Sequence, residues 1–343
     1  MRKFGIFIGI ILYSCNLLAI TIEEEKFYGP KKNEPDLNIL SSTDINIFDQ
    51  VMTTYADQNQ DLFIRYVVAS SKDIYNEIKS ENESYDVVMS SAMDLQMKLA
   101  NDGYAETYDS LNTSNVPEWA NWQNKLYGFA LEPIIIVVSK ELFSNIETPS
   151  NRRELINLLK NNPNAFNKKV ITYDINTSGA GYLFATQDER ESDTFWRLKE
   201  VIGTLNASLS CCSGDMLDKI ENNKAAIAYN VLGSYAEKRA ENSNNIVVIY
   251  PEDYTHVLLR TAFIPKNSNK INLAGEFLDY ILSEKGQLIM ESEGGLPSLA
   301  NKNIQNQLNA KPIRLDIGLL VYLDDFKKYN FLKEWNDALK YKD

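Results

Sequence analysis

The sequence predicts an α/β fold whose strands are mostly parallel. Short apolar strands alternate with amphipathic helical segments along most of the chain. Most of the strands end in Ser, Thr, Asp or Gly residues that suit the start of a helix. This unit occurs three times in succession and resumes at Lys169. Recurrence of that kind means βα units paired in parallel.

Residues 20–35 are polar and charged and read as a flexible leader. Leu37–Leu40 is the first strand, and Ser41-Ser42-Thr43-Asp44 caps a helix through Ile47, Phe48, Val51, Met52 and Tyr55. Leu62–Val68 is the second strand, and Ser70, Ser71 and Asp73 lead into a helix through Ile74 and Ile78. Tyr85–Met89 is the third, followed by Ser90-Ser91 and a helix through Leu95, Met97 and Leu99. An aromatic stretch, 103–125, precedes the strand Ile134–Val138 and a helix near Arg152–Lys160. The pattern resumes with Lys169–Asp174, then Asn176–Gly181 and a helix through Leu183 and Phe184. Leu209–Ser213 reads as a strand before the helix Met216–Glu221, and Ala225–Asn230 as a strand before Ser234–Ala240. Ile246–Tyr250 and Val257–Ile264 are late strands. Residues 271–292 read as one amphipathic helix, and a helical segment from about Tyr322 ends the chain.

Composition narrows the class. The chain has 343 residues, enough for about two domains. Apolar residues make up 44% and charged residues 24%, which excludes disordered, collagen-like and coiled-coil chains. A mean hydropathy of −0.32 excludes a polytopic membrane protein. With 47 acids against 35 bases the net charge is −12, the wrong sign for a general nucleic-acid binder. A local set of donors can still hold a small anion despite that charge.

The first residues predict export. Arg2 and Lys3 precede the apolar run Phe4–Leu12, and Leu17-Leu18-Ala19 fits a cleavage site after Ala19, so 1–19 read as a signal peptide. Leu12-Tyr13-Ser14-Cys15 loosely resembles a lipoprotein box that would lipidate Cys15. Tyr13 and the apolar residues after Cys15 make ordinary cleavage the better fit.

Cys211 and Cys212 are adjacent and lack the spacing of a metal site. They are open between a vicinal disulfide and two reduced thiols. His256 is the only histidine, so a multi-histidine metal centre is excluded, and no G-x-S-x-G elbow presents a serine nucleophile. No P-loop, HExxH or complete GxGxxG is present. No enzyme activity and no cofactor are expected.

Several phrases resemble bacterial periplasmic solute-binding proteins of the type II class, the receptors of ABC importers. They are YDVVMSSAMDLQMKL, LYGFALEPIIIVVSKELF, AAIAYNVLGSYAEKRA and AFIPKNSNKINLAGEFLDYILSEKGQLIMESEGGLPS. Within the class, the chain is most similar to the branch of ferric-binding, hexose-phosphate-binding and phosphoglycerate regulatory proteins, and CCSGDMLDKI and YNVLGSYA resemble the phosphoglycerate regulatory subgroup most. The resemblance implies a monomer of two lobes, each with a mostly parallel sheet, joined by a hinge that the chain crosses twice and closing on ligand. The lobes would comprise 36–132 with 258–343, and 133–257. It implies a permease or a membrane sensor histidine kinase as partner. Ferric-binding members use adjacent tyrosines, and none of the 19 tyrosines here is adjacent to another.

Ligands of open α/β sheets sit beyond the carboxyl ends of strands. The candidates there are Ser41, Ser42, Thr43, Asp44, Ser90, Ser91, Thr177, Ser178, Gly179, Ser213, Asp215, Tyr229 and Asn230, with Glu132 at the first crossing. Hydroxyls, glycines and helix starts suit phosphate or carboxylate. The expected ligand is therefore a small anion such as a sugar phosphate, phosphoglycerate or carboxylate. Trp119, Trp122, Tyr127 and Phe129 are expected to cover the junction between lobes rather than stack on a sugar.

Overall fold

The structure is a computed structural model that describes residues 20–301, 304 and 309–339. The signal peptide and Cys15 lie outside the described residues.

The strands are β1 Glu24–Tyr28, β2 Leu37–Ser41, β3 Ile64–Val68, β4 Val87–Ser90, β5 Asn121–Trp122, β6 Leu126–Ser139, β7 Val170–Tyr173, β8 Ser208–Ser210, β9 Ile227–Leu232, β10 Ile246–Ile249, β11 Thr255–Phe263 and β12 Ala310–Pro312. The helices used below are α1 Ile45–Gln58, α2 Ser71–Ser80, α3 Met93–Asn101, α4 Gly179–Glu191, α5 Thr194–Thr204, α6 Ser213–Glu221 and α7 Gly233–Asn242. The C-terminal helix is Asp325–Leu339.

Two lobes follow from the pairing. In the first, β3, β2 and β4 are parallel. In the second, β9, β7 and β8 are parallel. Their residues are mostly Val, Ile, Leu and Tyr, and β2, β4, β7 and β9 are buried along nearly their whole length, as sheets covered on both faces require. The long strand β6 joins the lobes. Its first half pairs antiparallel with β11, and its second half with β9 and β10. All 14 of its residues are buried. β11 in turn pairs antiparallel with β4, so the two crossing strands lie side by side at the junction.

Three expectations change. The leader is not irregular throughout: Glu24–Tyr28 is an edge strand antiparallel to β3, and Tyr28 is buried. Its backbone pairing outweighs the polar composition that suggested a loose segment. The 271–292 helix is two helices, Ile271–Leu282 and Glu284–Gly294, because Ser283 caps the second by accepting from the Gly286 amide. The last helix packs on the second lobe, although the sequence grouped it with the first. Phe331 and Trp335 are buried against Phe195 of α5 and Tyr182 of α4. Large aromatic surface favours that seat over the adjacent strand in sequence.

Candidate functional site

A cleft of about 530 Å³ lies between the lobes, at the carboxyl ends of their parallel strands. Four helix starts reach it. From the first lobe come Ser42 and Asp44, just before α1, and Ser70–Asp73 at α2. From the second come Thr177, Ser178 and Ala180 at α4, and Cys211–Gly214 at α6. Tyr173, Tyr235, Ser91, Glu23 and Glu24 complete the main walls.

The lobes touch across this cleft. The Ala180 amide donates to Ser71 Oγ at 3.2 Å, Lys72 Nζ donates to the Asn176 carbonyl at 2.8 Å, and the Asp44 amide donates to the Tyr235 hydroxyl at 3.3 Å.

Of the residues expected from sequence, Ser42, Asp44, Ser91, Thr177, Ser178 and Ser213 line the cleft. Most of their hydroxyls serve the protein itself. Ser42 Oγ accepts from the Ser91 amide at 3.0 Å, tying two loops together. Ser178 Oγ caps α4 by accepting from the Gly181 amide at 3.2 Å. Ser213 Oγ accepts from the Leu232 amide at 2.9 Å and lies 2.8 Å from the Tyr173 hydroxyl. Thr177 Oγ1 points back to the Asp174 carbonyl.

The remaining candidates do not line it. Ser41 Oγ accepts from the Thr43 amide, and Ser90 Oγ from the Ala92 amide; both are buried turn contacts. Thr43 Oγ1 accepts from Arg260, and Glu132 is paired with the same arginine. Gly179 faces Leu95 and Ser71 at the contact between lobes. Asp215 pairs with Lys219 at 2.9 Å and accepts from Ser210 Oγ. Tyr229 and Asn230 are not at a strand end, because β9 continues to Leu232. Asn230 is the extra residue of a bulge: Ile135 faces Val231 and Ile136 faces Tyr229. Its φ of 66° suits asparagine better than most residues. Both side chains turn to Asp188, which accepts from Tyr229 at 2.8 Å and from Asn230 at 2.9 Å.

The donors left open are backbone amides. At the start of α6, the first amide with a helical partner is that of Met216, bonded to the Cys212 carbonyl. The amides of Ser213, Gly214 and Asp215 have no acceptor among the described residues, as expected of a helix N-terminus. A Cβ at Gly214 would meet nothing among the described residues within 4 Å, so this turn has room for a side chain. Immediately before it, Cys211 and Cys212 form a vicinal disulfide, with both residues exposed on the cleft wall.

Charged side chains are distributed unlike a simple anion site. Four carboxylates line the cleft, Glu23, Glu24, Asp44 and Asp73, against one ammonium, Lys72. Glu24 accepts from the Ile45 amide at 2.9 Å and so occupies the start of α1 itself. Burial raises the Glu23 carboxyl pKa, and the charges of Asp44 and Asp73 raise it further. Burial also raises that of Asp44, against the lowering effects of Tyr235 and Arg260. Arg65 lies elsewhere, paired with Glu25 and Glu83. Arg260 is buried behind Thr43, with its guanidinium carbon 5.8 Å from the Tyr235 ring centroid.

His256 is buried 3.7 Å from Asp188, away from the cleft. The four aromatics Trp119, Trp122, Tyr127 and Phe129 pack into or against the first lobe's core, and none lines the cleft. Sequence reasoning missed Ser70–Asp73, although they follow a strand just as Ser90-Ser91 does. It missed Tyr173 and Tyr235, which carry no local signal. Glu23 and Glu24 sat in a segment read as a loose leader. No group of three or more His, Cys, Asp or Glu among the described residues is placed to hold a metal.

The geometry is that of a known class of proteins. The model for the bacterial extracellular solute-binding protein family matches residues 82–317. Among curated protein sequences, none matches this chain. A substrate-binding protein of an ABC transporter from Agrobacterium tumefaciens is similar at 28% identity, covering 94% of this chain and 100% of its own, with a TM-score of 0.89. The periplasmic binding protein AfuA from Actinobacillus pleuropneumoniae, solved with exogenous fructose-6-phosphate, has 16% identity over 88% of this chain and 98% of its own, with a TM-score of 0.71. Iron-bound HitA from Pseudomonas aeruginosa has 16% identity over 88% and 98%, with a TM-score of 0.67. The chain belongs to the bacterial extracellular solute-binding protein family, and it is a binding protein rather than an enzyme.

Proposed function

We propose that this protein is the periplasmic receptor of an ABC importer and closes on a small solute that carries an anionic group. The observation behind this reading is the set of open amides at the start of α6, where Ser213 and Gly214 line a cleft between two lobes. Amides at a helix start attract phosphate or carboxylate through their N–H groups and the partial positive charge of the helix. The carboxylates of Asp44, Asp73, Glu23 and Glu24 suit a remainder bearing hydroxyl or ammonium groups, and oppose a second anionic group there. Fructose-6-phosphate in the AfuA structure is consistent with a phosphorylated sugar.

Ferric iron fits less well. Tyr173 and Tyr235 reach the cleft but are bonded to Ser213 and Asp44, and burial raises both phenols far from ionisation. A membrane sensor kinase would use the same closed form; permease and ATPase genes beside this gene support transport, and kinase and response-regulator genes support sensing.

A thermal-shift panel of sugar phosphates, phosphoglycerates, carboxylates, amino acids and ferric salts tests the reading. A ligand at 100 times its Kd adds about 2.7 kcal/mol of stability. Stabilisation by at least one anionic solute is expected. Stabilisation by ferric iron alone, or by a neutral sugar alone, overturns it.

A further inference from the structure

Beside the main cleft lies a second cavity of about 460 Å³ with the opposite charge. The two share Lys72 and Ser178. Four lysines line the second one, Lys72, Lys79, Lys98 and Lys328, against a single carboxylate, Asp325. Lys98 is neutralised by Asp102 one turn on. Lys72, Lys79 and Lys328 form no ion pair among the described residues, although Lys72 Nζ donates to the Asn176 carbonyl and the charge of Lys328 acts on the buried Asp94 carboxyl. Lys79 sits 5.5 Å from the Tyr75 ring centroid, and Lys328 sits 5.3 Å from that of Tyr182. Three ammoniums without an ion pair around one hollow are notable in a chain of net charge −12. Like charges held together in this way repel one another until an anion joins them.

The position of these groups matters as much as their charge. Lys72 and Lys79 belong to α2 of the first lobe. Tyr182 belongs to α4 of the second lobe, and Lys328 to the C-terminal helix that packs on it. An anion in this hollow therefore touches both lobes at once. It would bind the closed arrangement more tightly than an open one, and whatever favours closure would strengthen its binding in return.

We propose that this cavity is a second anion site, distinct from the solute cleft, that takes a multiply charged anion such as a polyphosphate or polycarboxylate and clamps the lobes together. Aliphatic lysine stems, Tyr75, Tyr182 and Leu95 offer apolar surface around the charges, so a compact polyanion fits better than a long apolar one.

The test uses the mature protein and inorganic pyrophosphate at low ionic strength. Titration calorimetry should show binding that weakens as salt is raised. The Lys79→Gln/Lys328→Gln double variant should lose at least about tenfold in affinity, while Gly214→Asp, placed in the main cleft, should keep it. Small-angle scattering should show the wild type more compact with pyrophosphate than without. Absence of binding by the wild type overturns the proposal. So does unchanged affinity in the folded double variant. Loss of binding in Gly214→Asp alone would place the anion in the main cleft and also overturn it, leaving the solute reading intact.

Discussion

Glu132 and Arg260 form a fully buried ion pair, Oε2 to Nε 2.8 Å, that links the two strands crossing between the lobes. Glu132 also accepts from the Ser234 amide of α7, at 2.8 Å, and Arg260 donates to Thr43 Oγ1 beside the cleft. The pair thus ties the junction to one loop of each lobe. Its second terminal nitrogen, Nη2, has no hydrogen-bond partner among the described residues.

That geometry gives Glu132 a structural role. Glu132→Ala leaves a buried guanidinium without its counter-charge, which costs about 3–5 kcal/mol. Chemical denaturation should show the loss in the protein without ligand. Full stability of Glu132→Ala, with affinity lost, would return Glu132 to the list of ligand contacts.

Gly179 and Gly214 should respond differently to substitution. A Cβ at Gly179 would fall 2.7 Å from Leu95 Cδ1 and 2.9 Å from Ser71 Oγ, both across the lobe contact. Gly179→Ala should hinder closure: affinity falls, folding survives, and scattering reports a larger radius in the presence of solute. Gly214→Asp has room for its side chain, so its effect is charge repulsion of the solute and not steric obstruction. Calorimetry with the solute found by the thermal-shift panel should show at least about tenfold weaker binding. Unchanged affinity in both variants sinks the assignment of these two positions. Ser178→Ala removes a helix cap and should cost about 1 kcal/mol of stability by denaturant titration.

Lys199 should give stability a slope in alkaline solution. Its ammonium nitrogen is buried without a hydrogen-bond partner among the described residues, between the rings of Tyr229 at 4.4 Å, Trp335 at 4.7 Å and Phe195 at 5.2 Å. Burial lowers its pKa to about 7, with Asp188 opposing and Arg152 assisting. Between about pH 7 and about 10.4 the unfolded chain holds a proton that the folded chain has released. Stability from this group therefore rises with pH across that window. Lys199→Met, similar in reach but apolar, should be more stable than the wild type at pH 7 and should flatten the slope. Equal slopes in the two proteins would contradict this origin.

The vicinal disulfide sits at the cleft wall just before the open amides of α6. Intact-mass measurement without reductant should find the folded protein lighter by two hydrogen atoms than its reduced form. Reduction, or Cys211→Ser/Cys212→Ser, should change solute affinity while the far-UV circular dichroism is retained. Quantitative alkylation of both thiols in the oxidised, folded protein would reject the ring.

Short-range pattern carried much of the fold into view. β2, β3, β4 and β7 and the helices after them are legible because burial on both faces demands unbroken Val, Ile and Leu runs, and polar residues open each helix, with Ser70 and Ser178 capping two of them. The same local chemistry marks Ser42, Ser91, Ser178 and Ser213 as residues of strand ends. What it cannot distinguish is a hydroxyl that caps its own helix from one free for a solute, because the sequence motif is identical. That depended on partners far along the chain: Leu232 and Tyr173 for Ser213, Ser91 for Ser42. Distance in sequence likewise hid the edge strand Glu24–Tyr28 and the pairing of Glu132 with Arg260, 128 residues apart. It hid the seat of Trp335 on the second lobe, where the area of apolar surface available for burial outweighs chain proximity. It also hid the two neighbouring hollows of opposite charge. Their acids and lysines are scattered from Glu23 to Lys328, and only the folding of the first lobe, with the C-terminal helix set against it, brings them within reach of one another.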